Sequence, residues 1–159
     1  MKKNCTLEDA LNYNNEDVIF RFTKIYDITE EQSSQIFNET KKWLWLCYKT
    51  SDPELKTRVL IDYSMLMIDE MWHNFILFSK DYENYCLDKF GFFIYHQPTT
   101  KSESLSWKNN SEKNTSIYLE AIKKQYSIIF DYLGEETLKL WYKDFAKKYS
   151  KEKIKELLL

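Results

Sequence analysis

Glycine and proline are nearly missing from this chain, with 2 of each in 159 residues. Sheet-rich folds need tight turns, and such turns recruit Gly, Pro or Asn-Gly pairs. Their scarcity argues against an all-β fold and for long helices joined by short polar connections. A phosphate-cradling glycine loop is excluded for the same reason, because neither glycine has the required neighbours. The 3 cysteines, Cys5, Cys47 and Cys86, form no spacing motif, and an odd number suits a reducing compartment better than a disulfide scaffold. No apolar run reaches membrane-spanning length, and no apolar core follows Met1-Lys2-Lys3, so no membrane span and a cytoplasmic location are expected. Charge of one sign is also missing: 23 basic residues face 25 acidic ones, for a net charge of -2. Nucleic acid is thus an unlikely partner. The lysines at 147, 148, 151, 153 and 155 make the C-terminus locally basic, but Glu152 and Glu156 dilute it.

What the chain has in excess is aromatic bulk, at 17% of residues. Together with 43% apolar residues, this is enough to build a real core. The expectation is an all-α, compact single-domain bundle of about six to eight helices over residues 1–159, with one short extended aromatic segment. No internal repeat is apparent.

Helix signals are spaced along the chain. Thr6 and Asp9 open a short helix to Leu11, and residues 17–26 form a second short piece. Thr29 and Gln32 make a capping box for the first long helix, striped by Ile36, Thr40, Trp43 and Cys47. Glu39 sits on the shoulder of that stripe, either solvated or turned toward a polar site. Trp45 lies off the stripe and reads as a pocket wall, a partner interface or a membrane-surface contact. Asp52-Pro53 predicts a helix over 53–61, and a further helix is expected through 62–78. Ser79 is expected to cap the next helix, which ends at Gly91. Residues 92–95 are apolar and extended, and Pro98 biases Gln97 away from helix. Residues 99–113 read as a surface loop, with Trp107 as an exposed aromatic. Helices then follow from about 114 to 133, from 135 to 149 and from 151 onward, the last fraying at its end.

The stretch from Asp69 to Pro98 carries both histidines. Asp69 and His73 are four residues apart and share a helix face, with Leu66 and Leu77 on the same face, so the pair is expected to point inward. His96 follows the aromatic crossing and is placed to return over that helix. Two imidazoles and a carboxylate form a ligand set for a divalent metal (zinc, iron or manganese) with a position left for water. Glu39 or Glu70 would add a ligand or a base, and Tyr82 and Tyr95 would donate hydrogen bonds into the site. A catalytic residue is not assigned, and whether the protein is an enzyme stays open. The alternative is that Asp69 fixes the His73 tautomer, His96 buttresses a loop, and the domain is a non-catalytic scaffold for protein partners. Trp72, Phe75 and Ile76 read as core. Nothing in sequence activates Cys86 as a nucleophile.

Several motifs occur together: Asp69-Glu70-Met71-Trp72-His73, Phe75-Ile76-Leu77, Tyr82 to Cys86, Gly91-Phe92-Phe93-Ile94 and His96-Gln97-Pro98. With Arg21-Phe22, Glu39 and Trp43-Leu44 upstream, they resemble the glycine-rich-domain-containing-protein-like proteins over about residues 16–145. The chain departs from that pattern at Tyr95, where relatives often carry a first histidine, and it has no glycine-rich tail. The resemblance implies a helical domain and supplies no settled reaction. A small molecule or a protein is the expected partner, and the residues give no reading of homo-oligomerisation.

Overall fold

The computed structural model describes residues 2–55, 59–109 and 111–159. The fold is all-α, with no strand among these residues beyond one isolated bridge between Tyr26 and Leu158. Its helices are α1 Leu7–Leu11, α2 Glu16–Phe22, α3 Glu30–Lys49, α4 Leu66–Leu77, α5 Ser79–Lys89, α6 Lys101–Asn109, α7 Ser111–Leu133 and α8 Glu135–Lys139. A π turn, Leu140–Phe145, carries α8 into α9, Ala146–Lys148, and α10 spans Lys151–Leu157.

Helix α3 is the centre of the molecule, packing on α1, α2, α4 and α7. Both of its expected caps form, as the Thr29 hydroxyl accepts from the Gln32 amide at 3.1 Å and the Gln32 side chain accepts from the Thr29 amide at 2.9 Å. Thr6 and Asp9 make the same reciprocal pair on α1. The core seam runs through edge-to-face rings: Phe37 meets Phe75 at 5.1 Å, and Trp43 meets Trp141 at 6.1 Å. Asn74 is buried between α2 and α4. It accepts from Arg21 Nη1 at 2.6 Å and donates to the Val18 carbonyl at 2.9 Å. Two polar groups that burial would otherwise penalise thereby become a tie.

Six expectations change. The helix expected over 53–61 is only a 3₁₀ turn at Pro53–Leu55, where Asp52 accepts from the Glu54 amide, and residues 59–62 are not helical. Residues 56–58 lie outside the described residues. The next helix starts at Leu66 behind a 3₁₀ turn at Tyr63–Met65. Ser79 is not a cap: the break falls at Phe78, with φ −82° and ψ 61°, and no side chain satisfies it. The expected loop 99–113 contains α6, because Thr100 and Glu103 form a capping box. Trp107's side chain lies outside the described ones. Trp45 is no surface feature. It is buried, and its Nε1 donates to the Cys5 carbonyl at 3.0 Å. Finally, the C-terminus is held, since Asp27 N–H donates to the Leu157 carbonyl at 2.7 Å and Leu159 N–H to the Ile25 carbonyl at 3.0 Å. No helix among the described residues is long and apolar enough to cross a membrane.

Candidate metal centre

Helix α4 buries Met67, Ile68, Met71, Trp72 and Phe75. Asp69 and His73 lie at the rim of that face, one turn apart. The inward orientation expected from Leu66 and Leu77 is not met, because Leu77 is exposed and Leu66 only half-buried. The His73 side chain is 54% exposed and that of Asp69 23%.

The second imidazole arrives on a short path. Gly91 ends α5 with φ 81°, in the left-handed region where a Cβ would be strained. Its amide donates to the carbonyls of Cys86 and Leu87. The chain then crosses in extended form. Phe92 stacks near Tyr48, Phe93 meets Tyr82 edge-on at 5.2 Å, and Ile94 is buried. Buried Tyr82 fastens the crossing by donating its hydroxyl to the Ile94 carbonyl at 2.6 Å, and it accepts from Trp72 Nε1 at 3.0 Å. Burial pushes the Tyr82 phenol far above its usual range, so it acts as a fixed donor. Trp72 in turn stacks on the His96 ring, with centroids 4.0 Å apart and planes at 24°.

The result is convergence. His96 Nε2 lies 3.1 Å from Asp69 Oδ1 and 3.0 Å from His73 Nε2, and one ligand atom from each of the three residues falls within 4.8 Å of the others. The remaining contact, His73 Nδ1 to Asp69 Oδ2, is 3.6 Å and too long for a hydrogen bond. Donors about 2.1 Å from an ion stand ~3.0 Å apart in octahedral and ~3.4 Å apart in tetrahedral coordination. The two short separations sit at the lower of these values.

The expected supporting residues do not join the three. Glu39 is buried, but it accepts from Trp141 Nε1 at 2.8 Å and from Lys42 at 2.9 Å, which couples α3 to the π turn. Glu70 accepts from the Tyr26 hydroxyl at 2.8 Å. Tyr95 is 74% exposed and leans on Phe93. Tyr82 supports the site through the backbone and Trp72, not by a bond into it. Trp72 is the residue that sequence reasoning assigned to packing alone. It is core, and it is also the platform for His96. A tryptophan directly preceding a histidine on a helix was the available signal. Cys86 is a buried thiol whose pKa burial raises, consistent with no nucleophilic role.

The UCP032817-like family model matches residues 12–126, most of the chain. This overturns the resemblance to the glycine-rich-domain-containing-protein-like proteins, for which there is no glycine-rich domain evidence. That resemblance rested on short motifs from Arg21-Phe22 and Trp43-Leu44 through Asp69–His73 and Tyr82–Cys86 to His96–Pro98, none of them glycine-rich. No curated protein and no solved structure gives a significant match.

Proposed function

The chain belongs to the UCP032817-like family, and from the geometry on α4 and the aromatic crossing we propose that it binds one divalent metal ion through Asp69, His73 and His96. One observation carries this reading: the His96 Nε2 atom stands 3.1 Å from a carboxylate oxygen and 3.0 Å from a second imidazole nitrogen. A single imidazole proton cannot serve both contacts with good geometry, whereas one ion among the three donors satisfies all of them. The ligand chemistry suits zinc, iron or manganese. His73 is half-exposed, so the outer side of the ion would face solvent, open to water or a small molecule. An ion held there would act as a Lewis acid or lower the pKa of bound water. The three residues orient it, and Trp72 and Tyr82 hold His96 in place.

Calorimetric titration of untagged protein with Zn(II), Mn(II) and Co(II), and anaerobically with Fe(II), tests the proposal. The expected result is one ion per chain, a cobalt visible spectrum, and stabilisation of about 2.7 kcal/mol at a hundredfold excess over Kd. Replacing both His73 and His96 by Ala should abolish all three. Absence of binding by the wild type, or binding that survives the double substitution, leaves the histidines as structural hydrogen-bonding groups in a scaffold domain.

A further inference from the structure

Where α10 closes on the segment between α2 and α3, a hollow of 220 Å³ is left between them and the end of α9. Two backbone contacts frame it. The Asp27 N–H donates to the Leu157 carbonyl at 2.7 Å, and Tyr26 and Leu158 form the isolated bridge. The lining carries opposite charges in equal number. Asp27 and Glu156 bring carboxylates, Lys148 and Lys153 bring ammonium groups, and all four residues are exposed. Ile28 and Leu157, both half-buried, add an aliphatic wall.

These charges do not neutralise one another. None of the ion pairs among the described residues joins any two of the four. Lys153 Nζ donates to the Lys147 carbonyl at 3.0 Å, which occupies one of its three N–H bonds. Lys148 Nζ stands 5.2 Å from the centre of the Tyr149 ring. Tyr149 is the buried member of the lining, 1% exposed, and its ring meets Phe145 edge-on at 5.1 Å. Its hydroxyl is buried and has no hydrogen-bond partner among the described residues. Native structures leave few such groups unpaired, because an unmet buried hydroxyl costs free energy.

We infer that this hollow binds a free aliphatic amino acid as its zwitterion. The ligand's carboxylate goes to Lys148, Lys153 and the Tyr149 hydroxyl, which thereby gains an acceptor. Its ammonium goes to Asp27 and Glu156, and its side chain packs on Ile28 and Leu157. The mixed lining selects this class. A phosphate-type anion drawn by two lysines is repelled by two carboxylates, and a metal cation meets the reverse. A zwitterion satisfies both signs at once. The volume sets the size, since clefts for drug-sized ligands run to about 300–1,000 Å³ and this hollow is smaller.

Leucine is the probe, titrated by calorimetry into the full chain in EDTA, so that no metal ion at Asp69, His73 and His96 contributes. Two isosteres each lack one charge: 4-methylpentanoate has no ammonium, and 3-methylbutylamine has no carboxylate. Leucine should bind on the order of tenfold tighter than either, the size of one charge-assisted hydrogen bond. Asp27→Asn with Glu156→Gln should erase only the preference over 4-methylpentanoate. Lys148→Gln with Lys153→Gln should erase only the preference over 3-methylbutylamine. Tyr149→Phe keeps the ring and should weaken leucine binding several-fold, while His73→Ala leaves it intact. The four charged positions are exposed, so their variants keep the fold, and circular dichroism checks each one. No leucine binding at millimolar concentration, equal affinity for leucine and both isosteres, or preferences that survive both double substitutions overturns the inference.

Discussion

Lys41 is 2% exposed, yet its ammonium has two acceptors, the carbonyls of Leu11 at the end of α1 and of Tyr13 just beyond it. Burial, aided by the charge of Lys89, lowers its pKa from 10.5 to about 8. A neutral amine keeps two N–H bonds, which matches those two carbonyls, so losing the proton breaks neither contact. Between pH 8 and 10.5 the unfolded chain holds a proton that the folded one has released, so this group makes stability rise with pH across that window, by at most about 3 kcal/mol. The buried phenols of Tyr26, Tyr82, Tyr85 and Tyr142 work the other way. Their pKa values are raised by burial, so their contribution is present below pH 10 and is lost as pH climbs above it. Chemical denaturation of wild type and Lys41→Met at pH 7.5 and 9.5 separates the two effects. The stability gap between them should widen in favour of the wild type as pH rises. Glu39 is a simpler case at the same scale. Trp141→Phe removes the donor to its buried carboxylate and should cost about 1.5–3 kcal/mol in the same assay.

Among the elements, the crossing segment 92–98 governs the proposed metal site, because α4 alone supplies only two of the three candidate donors. Tyr82→Phe deletes the hydroxyl that holds the Ile94 carbonyl and accepts from Trp72. If His96 is positioned this way, metal affinity should fall by roughly tenfold while the fold persists, a pattern readable by cobalt titration beside a thermal melt. A purely structural role would instead lower the melting temperature and leave the affinity of the folded fraction unchanged. Capping boxes show what was legible at this scale. Thr6–Asp9 and Thr29–Gln32 were read correctly, because apolar residues follow at helical spacing. Thr100–Glu103 carries the same signal, but Ser, Thr, Lys and Asn composition outweighed it, and α6 was read as loop. Asp52-Pro53 misled in the opposite sense, since a good start does not sustain a helix beyond a single 3₁₀ turn. Thr100→Ala should weaken α6 by about 1 kcal/mol, seen as faster amide exchange in residues 101–109 with the core unaffected.

At the scale of the molecule, sequence reading captured what is periodic and missed what joins distant segments. The α-helical class, the Gly91 stop and the placing of Asp69 and His73 one turn apart follow from spacing within one element. Contacts such as Glu39 with Trp141, separated by 102 positions, or Trp72 stacked on His96, leave no periodic trace. The chain's C-terminal end belongs to this second class. Leu157 and Leu159 bond to Asp27 and Ile25, so α10 closes against the segment between α2 and α3. The expectation of a fraying end treated α10 as isolated, whereas two backbone bonds and the buried Ile154 hold it. Deleting residues 157–159 removes both bonds and should cost about 1–3 kcal/mol. Hydrogen exchange should locate that loss at Asp27 and along α10, since the Asp27 amide is left without its acceptor. The same deletion should leave metal affinity unchanged, because Asp69, His73 and His96 draw no ligand or hydrogen bond from that segment. Exchange spreading uniformly through α3 and α4 would instead make α10 part of the cooperative core.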